Sequence, residues 1–166
     1  MRHLFKNTIS AFVFLTIVSM ASETTAHAQD SVLIKATLAT HTNNEDKEWN
    51  TCVFAEVKTA DGDLIAHASG QDCNNADGTQ YKDGSDHQFD LTIDSPGLAR
   101  NLAKGFTVHM WQETHGGAGH DTWRFNVRVI LQFSQGAAAL TASRDNIELK
   151  SSGTDDRPAT DFRNSN

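Results

Sequence analysis

The chain has 166 residues, a formal net charge of −7 at pH 7 and 38% hydrophobic residues. This length fits a single domain with a core of ordinary size. No basic cluster interrupts the acidic composition, so nucleic acid and anionic lipid headgroups are excluded as partners by charge repulsion.

The first residues predict export. A charged start, MRHLFK, precedes an apolar run, ISAFVFLTIVSMA, and the small-x-small motif AHA ends at Ala28. These are the three parts of a secretory signal peptide, and the run is shorter than the roughly 18–20 residues that span a bilayer. We therefore predict a signal peptide at residues 1–28, no membrane span and a periplasmic or secreted mature protein. An uncleaved N-terminal anchor is the alternative.

The two cysteines predict a disulfide. Cleavage after Ala28 leaves 12 basic and 20 acidic residues, a formal charge of −8, and retains Cys52 and Cys73. An oxidising compartment favours their pairing. In the chain-entropy model, the disulfide would then stabilise the folded protein by on the order of 3 kcal/mol. The alternative is a pair of thiolate ligands for a soft metal, but the CxxC spacing of such sites is missing.

The segment from Ser31 to Lys150 shows the period-two alternation of antiparallel β-structure, punctuated by Gly, Asn and Asp. The strand-like segments are, in chain order, VLIKATLAT, TCVFAEVKT, LIAHAS, HQFDLTID, GFTVHMWQ, TWRFNVRVILQFS, ALTAS and NIELKS. Between the fourth and fifth of these segments, SPGLARNLAKG predicts a short helical turn that ends at Gly105. We predict an all-β, antiparallel two-sheet β-sandwich of about eight strands at 29–150. The remainder, 151–166, has one aromatic residue and predicts a disordered polar tail.

If successive strands reverse direction, four connections meet at one end of the sandwich. They are 41–50, 70–85, 113–121 and 143–146. Both cysteines fall at this end, which agrees with the strand assignment. The same end collects nine acidic residues: Glu45, Asp46, Glu48, Asp72, Asp77, Asp83, Glu113, Asp121 and Asp145.

The stretch THTNNEDKEWNT, residues 40–51, admits two interpretations. Acids that converge from several loops repel one another unless a cation intervenes, and Ca²⁺ takes six to eight oxygen ligands. This predicts that the stretch forms one wall of a calcium site at this end of the sandwich. Alternatively, the acids form a solvated surface, because loops are rich in Asp and Asn for turn geometry alone. An EF-hand at DCNNADGTQYKD is excluded by its register, with glycine at the seventh position.

Aromatic and histidine side chains offer further candidates at this end. Trp49 has no apolar neighbour before Val53, so it is either a lid folded over the sandwich or an exposed contact for a sugar ring or a partner protein. His115 and His120 in HGGAGH suit a transition metal, but spacing fixes no third ligand.

Catalytic motifs are missing from the sequence: it has no GxSxG, no HExxH and no phosphate-binding glycine loop. We therefore predict an exported, non-catalytic binding or interaction module whose partner is an unidentified protein or glycan. The alternative is a small extracytoplasmic hydrolase that uses the carboxylates of the acidic end or a histidine-bound metal.

Two segments, HTNNEDKEWNTCVFAEVKT and HDTWRFNVRVILQF, resemble small secreted sandwiches of the C2-like and PLAT-like kind. The resemblance spans roughly Ser31 to Lys150. In those families the loops at one end commonly bind calcium, and the domain contacts a lipid surface or another protein. The resemblance therefore implies that Glu45, Asp46 and Asp121 bind calcium. No basic or apolar loop tip suits a lipid surface here, so the resemblance does not extend to membrane docking.

Overall fold

The computed structural model describes residues 31–73, 80–114, 121–151 and 159–163, so the predicted signal peptide lies outside the described residues. Within these ranges, nine strands and a short helix, α1 (Ala99–Leu102), form the fold. No helix in this part of the chain has the length and apolar character needed to cross a membrane. The strands are β1 (Leu33–Asn44), β2 (Thr51–Thr59), β3 (Leu64–Gln71), β4 (Asp86–Asp90), β5 (Thr92–Ile93), β6 (Phe106–Thr114), β7 (Asp121–Phe133), β8 (Leu140–Ser151) and β9 (Ala159–Arg163).

The strands of the described ranges are arranged in two antiparallel sheets, which confirms the predicted all-β sandwich. One sheet has four strands in the order β4-β1-β7-β8, and the other has five in the order β5-β3-β2-β6-β9. The inward positions of the predicted alternation form the core between them. Fully buried examples are Leu38, Val53, Val57, Val108, Phe125 and Val129.

The predicted strand HQFDLTID is divided between the two sheets. Asp90 at the end of β4 pairs with Thr37 of β1, whereas Thr92 of β5 pairs with His67 of β3. Leu91 lies between these two pairings and is buried. The chain therefore passes from one sheet to the other at a buried leucine, a corner that the alternating pattern does not reveal.

The predicted strands ALTAS and NIELKS are one strand, β8, with a bulge at its centre. The register passes from Val127↔Arg144 to Phe125↔Ile147, so two residues of β8 oppose Asn126 of β7. The expectation that 143–146 is a connection at the acidic end is therefore wrong. A bulge carries the same Asp-Asn composition as a turn, because both need a residue that tolerates positive φ, here Asn146 at 55°.

The segment predicted as a disordered tail contains a strand. Ala159–Arg163 forms β9, which pairs with β6 from Trp111↔Ala159 to Thr107↔Arg163. The prediction for 151–166 is therefore wrong at these five residues. The open edge of β6 offers backbone donors and acceptors to a neighbouring strand, and such pairing depends on the backbone more than on the polar composition on which the prediction was based.

Candidate functional site

Two connections meet at the acidic end and are joined there by the backbone and by the disulfide. Lys47 and Tyr81 exchange main-chain hydrogen bonds of 3.2 and 3.0 Å across the β1–β2 and β3–β4 connections. Cys52 and Cys73 are disulfide-bonded, which confirms the predicted pair. The acidic end is therefore an ordered part of the sandwich in the residues that the structure describes.

Lys47 is completely buried beneath the acidic end. Its Nζ atom donates to the main-chain oxygens of Thr51, Glu48 and Asp72 at 2.6, 3.1 and 3.2 Å. It also lies 4.8 Å from the centre of the Tyr81 ring. An internal ammonium group thus binds converging oxygen atoms in the way that a metal cation would. No pattern in the sequence indicates this role, since Lys47 stands in a polar run typical of exposed turns.

Tyr81 completes the buried polar network around Lys47. Its hydroxyl donates to the Asp72 carboxylate, and its ring stacks on the His87 ring with 3.5 Å between the ring centres. Burial and the hydrogen bond to Asp72 hold the pKa of Tyr81 far above its usual value, and burial lowers the pKa of His87. Both rings are therefore uncharged at neutral pH, and Lys47 is the cation that faces Asp72.

Two of the predicted metal ligands are at this end, and each already has partners. The Glu45 carboxylate lies 3.5 Å from Nη1 of Arg124, whose Nε atom is 2.7 Å from Glu148. Asp46 accepts a hydrogen bond of 2.8 Å from the main-chain N–H of Asp83. A side-chain hydrogen bond with Asp46 also raises the pKa of the Asp83 carboxyl. The Glu45 and Asp46 carboxylates therefore already have partners within the protein.

The third predicted ligand, Asp121, is the first residue of β7, where its backbone pairs with Ser151 at the end of β8. This places its main chain at the same end of the sandwich as Glu45 and Asp46. Within the ranges that the structure describes, no group of three His, Cys, Asp or Glu side chains could hold a metal ion. His115 and His120 lie outside the described residues. Calcium binding by the three acids stays a prediction.

Trp49 is 49% exposed. This is the exposure that an aromatic contact for a sugar or a protein requires, and a lid closed over the core would expose less. The predicted binding residue is therefore accessible at the acidic end.

A second region, absent from the sequence predictions, lies on the outward face of the five-stranded sheet. Phe54 of β2 and Trp111 of β6 are register partners, and their rings are parallel, with centres 5.2 Å apart and an interplanar angle of 8°. The His109 ring lies 5.2 Å from that of Trp111, and Trp111 Nε1 donates to Glu113 at 3.0 Å. We call Phe54, His109 and Trp111 the aromatic face.

A cavity of about 240 Å³ adjoins the aromatic face on its β3 side. His67 and Asp94 also line the cavity, and His67 Nδ1 lies 2.6 Å from Asp94 Oδ2. Glu56 lines the cavity as well, and its carboxylate is 2.7 Å from Lys58 Nζ. The cavity therefore combines an apolar wall with fixed polar groups, as small-molecule sites do. The side chains that line it include Phe54, Glu56, His67, Ser69, Asp94 and Trp111.

A signal for this face was present in the sequence. Val53, Ala55 and Val57 mark the inward positions of β2, so Phe54 has the outward parity. Trp111 has the outward parity of β6 for the same reason, because Met110 beside it is fully buried. Large aromatic residues at outward positions of two strands point to a functional surface when the two strands are neighbours and the residues are in register. The structure, and not the sequence, shows that β2 and β6 meet this condition.

Comparison of the chain with family models, with curated proteins and with solved structures finds no match. The resemblance to C2-like and PLAT-like domains therefore stays a prediction.

Proposed function

We propose that the protein is an exported, non-catalytic module that binds a neutral glycan through the aromatic face and the adjoining cavity. The observation that carries the proposal is the parallel Phe54–Trp111 pair beside a cavity of about 240 Å³, which His67 and Asp94 also line. A protein partner is the other candidate named by the sequence, and Trp49 is its accessible contact at the acidic end.

The chemistry of this cavity matches a sugar ring. A pyranose presents C–H groups on its faces, which pack on the electron-rich face of an aromatic ring, and hydroxyl groups at its rim, which need hydrogen-bond partners. Carboxylates accept hydrogen bonds from hydroxyl groups, and Glu56 and Asp94 both line the cavity. These acids, with Glu113 beside Trp111, favour a neutral glycan over an anionic one because like charges repel.

Binding is favoured over hydrolysis by the pairing of these carboxylates. Glycoside hydrolysis uses two carboxyl groups, one as acid and one as base or nucleophile. Here Asp94 is held by His67 and Glu56 by Lys58, at 2.6 and 2.7 Å. Carboxylates that already have side-chain partners serve to fix the walls of a site rather than to transfer protons to a leaving group.

Export is part of the proposal. The Cys52–Cys73 disulfide supports it, since such bonds persist in oxidising compartments. N-terminal sequencing of the protein recovered from outside the cytoplasm should find Gln29 as the first residue. A first residue at Met1 would contradict the predicted cleavage.

Stabilisation by calcium through Glu45, Asp46 and Asp121 is also proposed, supported by the convergence of acidic connections at one end.

The binding proposal is tested by titrating the purified protein with neutral oligosaccharides of several linkages in a calorimeter. We expect a saturable heat for one of them, and Trp111→Ala should weaken binding by at least about tenfold, the loss expected for one aromatic contact. Trp49→Ala is the matched control and should bind as the unchanged protein does. Thermal melts of both variants establish that they are folded.

Two results would contradict the proposal. The first is the absence of binding to every oligosaccharide. The second is a loss of binding in Trp49→Ala with none in Trp111→Ala, which would move the site to the acidic end.

A further inference from the structure

A groove of about 410 Å³ runs across the outward face of the four-stranded sheet, opposite the proposed glycan site. It touches all four strands of that sheet. The side chains that line it include two acids, an arginine, a histidine and two neutral polar residues. They are His41, Asp86, Asn126, Arg128, Ser143 and Asp145.

The bulge in β8 shapes this groove. Asn126 Oδ1 accepts hydrogen bonds from Asn43 Nδ2 at 2.9 Å and from the main-chain N–H of Asn146 at 3.0 Å. Asn43 Nδ2 also reaches Asn146 Oδ1 at 3.3 Å. The three asparagines therefore fix the bulge, which brings Asp145 into the groove beside Asn126. Bulges of this kind commonly aim a side chain at a functional site.

The charges in the groove are partly paired. His41 Nδ1 lies 2.8 Å from Asp86 Oδ1, so these two residues satisfy each other. Arg128 and Asp145 both line the groove, but neither side chain makes a hydrogen bond or an ion pair within the residues that the structure describes. One cation and one anion are thus held apart in the same groove.

We propose that this groove binds a small zwitterion, an α-amino acid or a close analogue. Its carboxylate would meet the Arg128 guanidinium, whose planar fork matches carboxylate geometry. The Asn126 amide Nδ2, which has no hydrogen-bond partner among the described residues, and the Ser143 hydroxyl add donors for the same group. The ammonium group of the ligand would meet Asp145. This site is distinct from the proposed glycan site and does not depend on it.

The register of the strands places the backbones of the two charged residues at different positions along the groove. Ser143 is the partner of Arg128, and Asp145 lies two residues further along β8. Two residues of a strand span about 7 Å. An amino acid that makes a hydrogen bond of about 2.9 Å at each charged group bridges a distance of this order. A ligand with a single charge leaves one of the two protein charges unmatched.

The test is an NMR titration of the purified protein that follows backbone amides, with L-alanine and L-glutamine as probes and with acetate and ethylammonium as single-charge controls. We expect saturable shifts around His41, Asn126 and Ser143 for an amino acid, with each single-charge control at least tenfold weaker. Arg128→Gln and Asp145→Asn should each weaken amino-acid binding at least tenfold. Arg144→Gln, an adjacent residue that does not line the groove, should leave it unchanged.

Three outcomes would overturn the inference: no saturable shift with either amino acid, equal affinity for acetate, or unchanged binding in both groove variants. The two variants remove opposite charges at exposed positions. If one variant fails to fold, amino-acid binding by the other still tests the inference. Trp111→Ala should bind the amino acid normally, so failure of the glycan proposal would not affect this result.

Discussion

The acidic end and the aromatic face differ in how their polar groups are used. At the acidic end, the charges are matched from within the protein: Lys47 is bound by three carbonyl oxygens and Glu45 faces Arg124. On the aromatic face, the polar groups are fixed in pairs, but the adjoining cavity stays open to a ligand. A dense cluster of acids in a sequence is therefore not by itself evidence for a ligand site, because the fold can supply the partners of the acids.

The largest effect is expected from removing the internal cation of the acidic end. Lys47→Met leaves three carbonyl oxygens without their donor, and we expect a loss of about 3–5 kcal/mol in the free energy of unfolding, measured by urea denaturation. Lys150→Met is the matched control, since Lys150 is 64% exposed at its side chain. Its loss should stay below about 1 kcal/mol. Equal losses in the two variants would show that Lys47 does not organise the acidic end.

The disulfide supplies the next largest contribution at the same end. Replacing both Cys52 and Cys73 by serine should lower the free energy of unfolding by about 3 kcal/mol, because the open chain gains conformational entropy. The unchanged protein, unfolded in the presence of a reductant, should match the double variant. A reductant that also destabilises the double variant would contradict this account.

Calcium is expected to act more weakly than Lys47, because the buried ammonium group already binds oxygen atoms beneath the acids. At ten times its dissociation constant, calcium adds about 1.4 kcal/mol, which a thermal melt shows as a rise of a few degrees. Asp46→Asn and Asp121→Asn should abolish the rise, and magnesium is the control ion. No rise at millimolar calcium would leave the acids as a solvated surface.

The smallest effect concerns pH and the network below the acidic end. Burial lowers the pKa of His87 from its ordinary value of 6.5. Below that value the unfolded chain binds more protons at this residue than the folded one, so stability should fall as pH drops through 6.5 toward the folded pKa. His87→Phe keeps a ring against Tyr81 and should show a flatter decline over that interval. An identical decline in both proteins would assign it to other groups.

Local sequence patterns were sufficient to predict the sandwich, the disulfide and the meeting of the β1–β2 and β3–β4 connections at one end. Period-two alternation is a local property that sets which face of each strand is buried, and strand reversal then places the connections. The outward parity of Phe54 and Trp111 was readable in the same way.

The tertiary structure alone decided which polar groups meet. Lys47 is buried because two connections close over it, and Asp145 faces a groove because a bulge shifts the register of β8. β9 joins the sheet through the backbone edge of β6, which its polar composition does not indicate. Contacts of this kind depend on strand order and register, and those arise from pairings between distant segments rather than from any local pattern.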